Sequence, residues 1–254
     1  MTLVQRRLGS TGISVSLLGL GTVKFGRNAG VKYPGAFELP SDAGIAELLN
    51  EAKNLGINLI DTAPAYGSSE TRIGEILKQR SDWIISTKVG EKFEQGQSSF
   101  DFSATAARES VSRSLDRLQT DYLDVVMIHT NDDDLAALQA GALQELQRLK
   151  QDGIIRAIGA STKTLEAGLW ANQEVDVLMV VYQPDDTSQQ PVLEAALESG
   201  TGILIKKALN SGHADQIDQS LRFVQSHAAV SSIIVGTLNP SHLRDNAATL
   251  SSIS

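Results

Sequence analysis

The sequence predicts an α/β fold, a (β/α)8 TIM barrel, and three observations carry that prediction. The chain has 254 residues, a length at which such barrels commonly form one domain. Short β-branched, apolar runs alternate with longer amphipathic stretches from one end to the other. Counting residues 17–20 as the first run gives about eight strand–helix pairs, the number that closes a parallel barrel.

The elements follow in order. Residues 5–8 and 13–16 flank Gly9-Ser10-Thr11-Gly12, which reads as a β-hairpin closing the bottom of the barrel. After the strand at 17–20, a helix over 43–54 opens on the capping pair Ser41-Asp42. The strand at 57–60 leads to a helix over 70–78, and the strand at 83–86 to an irregular loop over 93–102 and a helix over 104–118. Then come the strand at 122–128 and a helix over 135–150, opened by Asp132-Asp133-Asp134 as cap. Strands at 154–158, 175–181, 203–205 and 233–235 alternate with helices over 165–172, 191–198, 217–227 and 240–250. The last helix starts at Asn239-Pro240, with proline where a first helical turn accepts it. Runs apolar at successive residues suit strands buried on both faces. An open doubly wound sheet is the rival, but Gly19, Gly21 and Gly26 have the wrong spacing for its Gly-x-Gly-x-x-Gly turn. No linker or low-complexity segment interrupts the chain, so residues 1–254 read as a single domain.

The net charge of −8 leaves no basic surface to attract nucleic acid or anionic lipid, so neither is an expected partner. With no cysteine there is no disulfide, thiolate metal site or Cys nucleophile, and a cytoplasmic location is expected. The N-terminus does not read as a signal peptide, and no run approaches the ~20 apolar residues of a membrane span. The four histidines, His129, His213, His227 and His242, have no ligand-like spacing, and no metal site is expected.

In such barrels the reacting groups sit at the C-terminal ends of strands. There the chain carries Asp61, followed by Thr62-Ala63-Pro64-Ala65-Tyr66-Gly67, then Lys88, then His129. Each has an ordinary explanation alone: Tyr66 as packing, Lys88 as a solvated charge, Asp61 as a turn cap, His129 as a hydrogen-bonded structural residue. Together they suit carbonyl reduction, which needs a proton at oxygen as well as a hydride at carbon. A free tyrosine, with a pKa of about 10, is a weak acid, and an ammonium beside it is expected to lower that value. Lys88 would supply the ammonium, Asp61 would hold it charged, and His129 would orient the substrate oxygen or relay a proton.

These residues, with Ser69-Glu70, Ile73-Gly74, Ser114-Leu115-Asp116-Arg117-Leu118 and the stretch from Gly153 to Ser161, resemble the aldo-keto reductase family across essentially the whole chain. The resemblance implies a nicotinamide-dependent oxidoreductase, normally monomeric. In it Tyr66 is general acid or base, Lys88 and Asp61 its tuning pair, and His129 the substrate-orienting group. It also implies a cofactor site made of Thr22, Ser161, Thr162, Met179, Lys206, Leu209, Gly236, Thr237, Asn239, His242 and Asn246. Here Gly236-Thr237 and the start of the last helix suit a phosphate.

Several positions depart from the family pattern. Gly236 and His242 replace the Lys and Arg that neutralise a 2′-phosphate; NADP(H) is still placed first by the resemblance, with NAD(H) second. Thr162 stands for the usual Asn and Met179 for the usual Gln, with Gln183 farther along the strand. Lys206 stands for the aromatic that stacks on the nicotinamide. It either leaves the ring without that partner or contacts the phosphates or carboxamide.

The leading reading is therefore an enzyme acting on an aldehyde, ketone or sugar. A cofactor-occupancy sensor with little turnover is the alternative, and a nucleotide-free lyase or hydrolase a third, which would lack a nucleophile or metal cluster. The short loops, notably after Gly26 and past Ser254, predict a shallow, open pocket that favours small carbonyl compounds over a steroid. Asp185 and Asp186 sit either at its rim, facing a polyol, or at the cap of a helix over 187–198.

Overall fold

The computed structural model describes residues 3–31, 33 and 35–251; the readings made at the first residues and past Ser254 fall partly or wholly outside them. An antiparallel hairpin, β1 (Gln5–Arg7) and β2 (Ser14–Ser16), precedes β3 (Leu18–Gly21), α1 (Val23–Gly26) and α2 (Asp42–Asn54). Next come β4 (Leu59–Asp61), a 3-10 turn (Pro64–Tyr66), α3 (Ser69–Ile76) and β5 (Ile84–Val89). They lead into β6 (Glu91–Glu94), β7 (Gln97–Phe100), α4 (Ala104–Leu118), β8 (Leu123–His129), α5 (Asp134–Gln139) and α6 (Ala142–Gln151). The chain continues through β9 (Ile155–Ser161), α7 (Leu165–Ala171), β10 (Val177–Val181) and α8 (Gln190–Ser199). It closes with β11 (Gly202–Lys206), α9 (Ile217–Ser226), β12 (Val230–Val235) and α10 (Pro240–Ser251). Parallel pairing in the order β3-β4-β5-β8-β9-β10-β11-β12, with β12 returning to β3, closes the barrel.

The apolar strand runs divide by alternation. On β8, Val125 and Met127 point into a barrel-interior cluster with Leu59, Ala157, Val177 and Leu204. Their neighbours Val126 and Ile128 join the larger cluster shared with helix residues such as Leu48, Ile73 and Leu146. The hairpin plugs the end opposite the functional residues. Leu8, Ile13 and Val15 enter the interior cluster, and the Ser10 amide donates to the Gly200 carbonyl at 2.8 Å. Arg6 Nη1 donates to the carbonyl of Val230, where β12 starts, at 2.6 Å. A side chain at Gly9, whose φ is +55°, would strike the Gly200–Gly202 backbone, so that contact requires glycine.

Two expectations change. Residues 93–102 are not an irregular loop, because most of them form the β6–β7 hairpin, registered Glu91↔Phe100 to Glu94↔Gln97 about Gln95-Gly96, both at positive φ. Its second strand is exposed throughout, so no apolar alternation marked it. The helix expected over 135–150 is two helices, broken where Ala140 turns extended (ψ 177°) and the Ala142 amide donates to the Phe102 carbonyl at 2.8 Å. Among the described residues no helix is long and apolar enough to cross a membrane.

Candidate active site

Asp61, Tyr66, Lys88 and His129 all line one cavity of about 1350 Å³ at the C-terminal ends of the strands. Asp61 ends β4 and Lys88 lies near the end of β5. Lys88 Nζ donates to both Asp61 carboxylate oxygens at 2.8 Å and to the Thr62 carbonyl at 2.9 Å, so this buried ammonium is fully partnered. Glu70 on α3 braces the strand from outside: it accepts from Thr87 Oγ1 at 2.6 Å and from Arg117 Nη1 at 3.2 Å.

Tyr66 ends the 3-10 turn, with Lys88 Nζ 4.9 Å from its ring centroid and the His129 ring edge-on at 6.3 Å. Burial pushes its phenol up, Lys88 pulls it back, and Asp61 pushes up again; the net direction is upward. The expectation that the ammonium brings the phenol below its ordinary value is therefore corrected. The carboxylate that steadies Lys88 also offsets its field, and burial dominates. Lys88 itself is raised: burial would lower it, but the charge of Asp61 and its contact with Tyr66 outweigh that.

His129 ends β8 and meets a residue that the sequence reading did not single out. Glu91, the first residue of β6, places Oε2 2.8 Å from His129 Nδ1, a close contact too poorly aligned to be a well-formed hydrogen bond. Ser98 of β7 donates to Glu91 Oε1 at 2.6 Å, and Arg27 Nη1 lies 3.7 Å from the same oxygen. Burial alone would raise the Glu91 carboxyl, but its contacts with His129, Ser98 and Arg27 hold it at about 2. His129 is lowered by burial first, with Glu91 opposing and Lys88 and Lys206 adding to it. The only sequence signal for Glu91 was a carboxylate three residues beyond Lys88, between the strand read at 83–86 and the loop read at 93–102.

The comparisons with known proteins agree with this architecture. Residues 17–218 match the description Aldo/keto reductase family. The chain belongs to the aldo/keto reductase family. L-galactose dehydrogenase of Arabidopsis thaliana is 34% identical over 84% of this chain and 67% of its own length. NADH-specific methylglyoxal reductase of Escherichia coli is 32% identical over 81% of this chain and 67% of its own. A solved chain described as an aldo-keto reductase from Pseudomonas aeruginosa superposes with a TM-score of 0.91 at 48% identity, covering 98% of this chain and 96% of that one. This aldo-keto reductase is thus an oxidoreductase acting on carbonyl compounds with a nicotinamide cofactor.

The residues of this aldo-keto reductase fit such a cofactor. Thr22, Ser161, Met179, Lys206, Leu209, Gly236, Thr237, His242 and Asn246 line the same cavity as the tetrad, whereas Thr162 and Asn239 do not. Thr162 Oγ1 is buried without a partner, and Asn239 Oδ1 accepts from the Ser241 amide at 2.8 Å, capping α10. A Cβ at Gly236 would lie 3.1 Å from Tyr33 Oη and 3.4 Å from the Gly21 carbonyl, so the glycine leaves a narrow cradle beside the N-terminus of α10. Tyr33 Oη donates to the Gly236 carbonyl at 2.8 Å, with Lys24 Nζ 3.4 Å from the Tyr33 ring centroid. Gln183 turns its Oε1 to the Asn210 amide at 3.1 Å and does not line the cavity. Asp186 lines the cavity and accepts from Ser188 N and Oγ at 3.1 and 2.6 Å, so it is both a rim residue and a turn cap.

Proposed function

We propose that this chain, as a single, monomeric, cytoplasmic domain, interconverts a small aldehyde, ketone or sugar carbonyl with its alcohol. The observation that carries the proposal is the convergence of Tyr66, the Lys88–Asp61 pair and His129 on the cavity that also reaches Gly236 and α10. When bound, the nicotinamide cofactor supplies or accepts the hydride. Tyr66 donates the proton in reduction and accepts it in oxidation; with its phenol raised, it stands protonated near neutral pH. Lys88 and Asp61 fix the field at that hydroxyl. Glu91 favours the tautomer of His129 with the proton on Nδ1, which leaves Nε2 to accept from a substrate hydroxyl. Relatives named for L-galactose, D-threo-aldose and methylglyoxal support a polar, small carbonyl substrate.

The family resemblance places NADP(H) first, but the charges at the α10 end argue for NAD(H), which we take as the working cofactor. The lining there includes His242, Asp245, Asn246 and Asp218, while Arg244 is engaged by Glu51 at 3.2 Å. A 2′-phosphate would meet carboxylates rather than a guanidinium.

The test is Tyr66→Phe assayed on an aldehyde and sugar panel with each cofactor. Turnover should fall by about 100-fold or more with cofactor binding retained. Unchanged turnover would remove Tyr66 from its role, and a clear preference of the wild-type protein for NADP(H) would overturn the assignment of NAD(H).

A further inference from the structure

Of the lysines that line the cavity, Lys88 and Lys206 are held differently. Lys88 is neutralised by the two oxygens of Asp61. Lys206, the last residue of β11, donates only to Ser161 Oγ at 2.9 Å and to the Thr162 carbonyl at 2.8 Å. Among the described residues no carboxylate is within ion-pair distance of it. The mechanism proposed above makes no use of this amine. Yet hydride transfer requires the nicotinamide ring to lie within about 3–3.5 Å of a carbon whose oxygen is at Tyr66. There the cavity wall comprises Tyr66, His129, Ser161, Met179 and Lys206.

We infer that Lys206 is a cofactor-selecting residue: its uncompensated positive charge makes this protein bind the reduced, neutral dihydropyridine more tightly than the oxidised, cationic pyridinium. The inference rests on the proposed nicotinamide site. The two cofactor forms differ by one positive charge, carried on the ring, so a fixed cation beside it repels one form and is indifferent to the other. By the same repulsion the oxidised ring, once bound, is a readier hydride acceptor.

The charge on Lys206 is adjustable. Burial first, then the charges of Lys207, Lys88 and Lys163, lower its pKa to about 7, with Asp134 opposing. Three titratable groups face it across the cavity. Lys88 is raised and stays cationic, Tyr66 is raised and stays neutral, and His129 is lowered by burial, away from the upper part of that range.

The dissociation constants of NAD+ and NADH, measured by fluorescence titration from pH 6 to 9, test this on the wild-type chain, Lys206→Met and Lys206→Arg. In the wild type the ratio of the oxidised to the reduced constant should fall roughly tenfold across that range as Lys206 loses its proton. Lys206→Met should show a low, pH-independent ratio, and Lys206→Arg a high, pH-independent one. A wild-type ratio that does not move with pH, or one that Lys206→Met leaves unchanged, overturns the inference while leaving the proposed function standing. Failure of the wild type to bind either form of NAD or of NADP overturns both.

Discussion

Glu91 carries one of the larger electrostatic commitments in the protein. Its carboxyl is held at about 2 against the effect of burial, by His129, Ser98 and Arg27. The sign follows from linkage: a depressed carboxylate contributes stability that is present above its unfolded pKa and lost as pH falls toward 2. Glu91→Gln keeps the shape but removes the anion beside Nδ1, so the preference for the Nδ1-protonated tautomer weakens. We expect kcat/KM for alcohol oxidation to drop about tenfold, with cofactor affinity unchanged. Steady-state kinetics beside a binding titration checks this, and an unaltered kcat/KM would make Glu91 a structural residue only. Asp61, Tyr66, Lys88 and His129 were legible because each follows an apolar run, where a barrel displays its side chains. Glu91 was not, because its importance depends on a hairpin that brings its carboxylate to His129. Nor was the direction of the Tyr66 shift, since the balance of burial against charge is a property of packing and leaves no mark on residue order.

Among the elements, the 3-10 turn that presents Tyr66 is positioned by a glycine on its neighbour. A Cβ on Gly26 would run into the Tyr66 carbonyl and the amides of Ser68 and Ser69, all backbone atoms unable to swing aside. Gly26→Ala should therefore cost about 1–3 kcal/mol of stability and displace the phenol. Turnover should fall by more than the loss of folded protein explains, as a melting curve compared with specific activity would reveal. Activity and stability equal to wild type would show that the turn can yield. Helix boundaries were readable to within a residue or two where a side chain caps them: Ser41 accepts from the Gly44 amide at 3.1 Å and Thr164 from the Ala167 amide at 3.2 Å. The break between α5 and α6 was hidden because it answers to packing against Ala104 and Phe102, which lie in a different part of the chain.

For the molecule as a whole, the barrel separates what holds it together from what reacts. Leu8, Ile13 and Val15 fill the bottom, and the tetrad stands at the opposite mouth. Leu8→Ala should lower unfolding free energy by about 2–5 kcal/mol, read from denaturant midpoints, with kcat of the folded protein unchanged. A matching loss of kcat would mean the two ends are coupled. The barrel itself was legible because eight buried parallel strands demand continuous apolar runs. The hairpin β6–β7 sits outside that closed ring, pairing only with itself in register. Its ties to the site run through side chains: Glu91 lies against His129 and Arg27, and Arg27 sits 3.4 Å over the Phe93 ring. A change of sequence within this excursion would therefore alter the companion of His129 while every barrel ladder stayed intact.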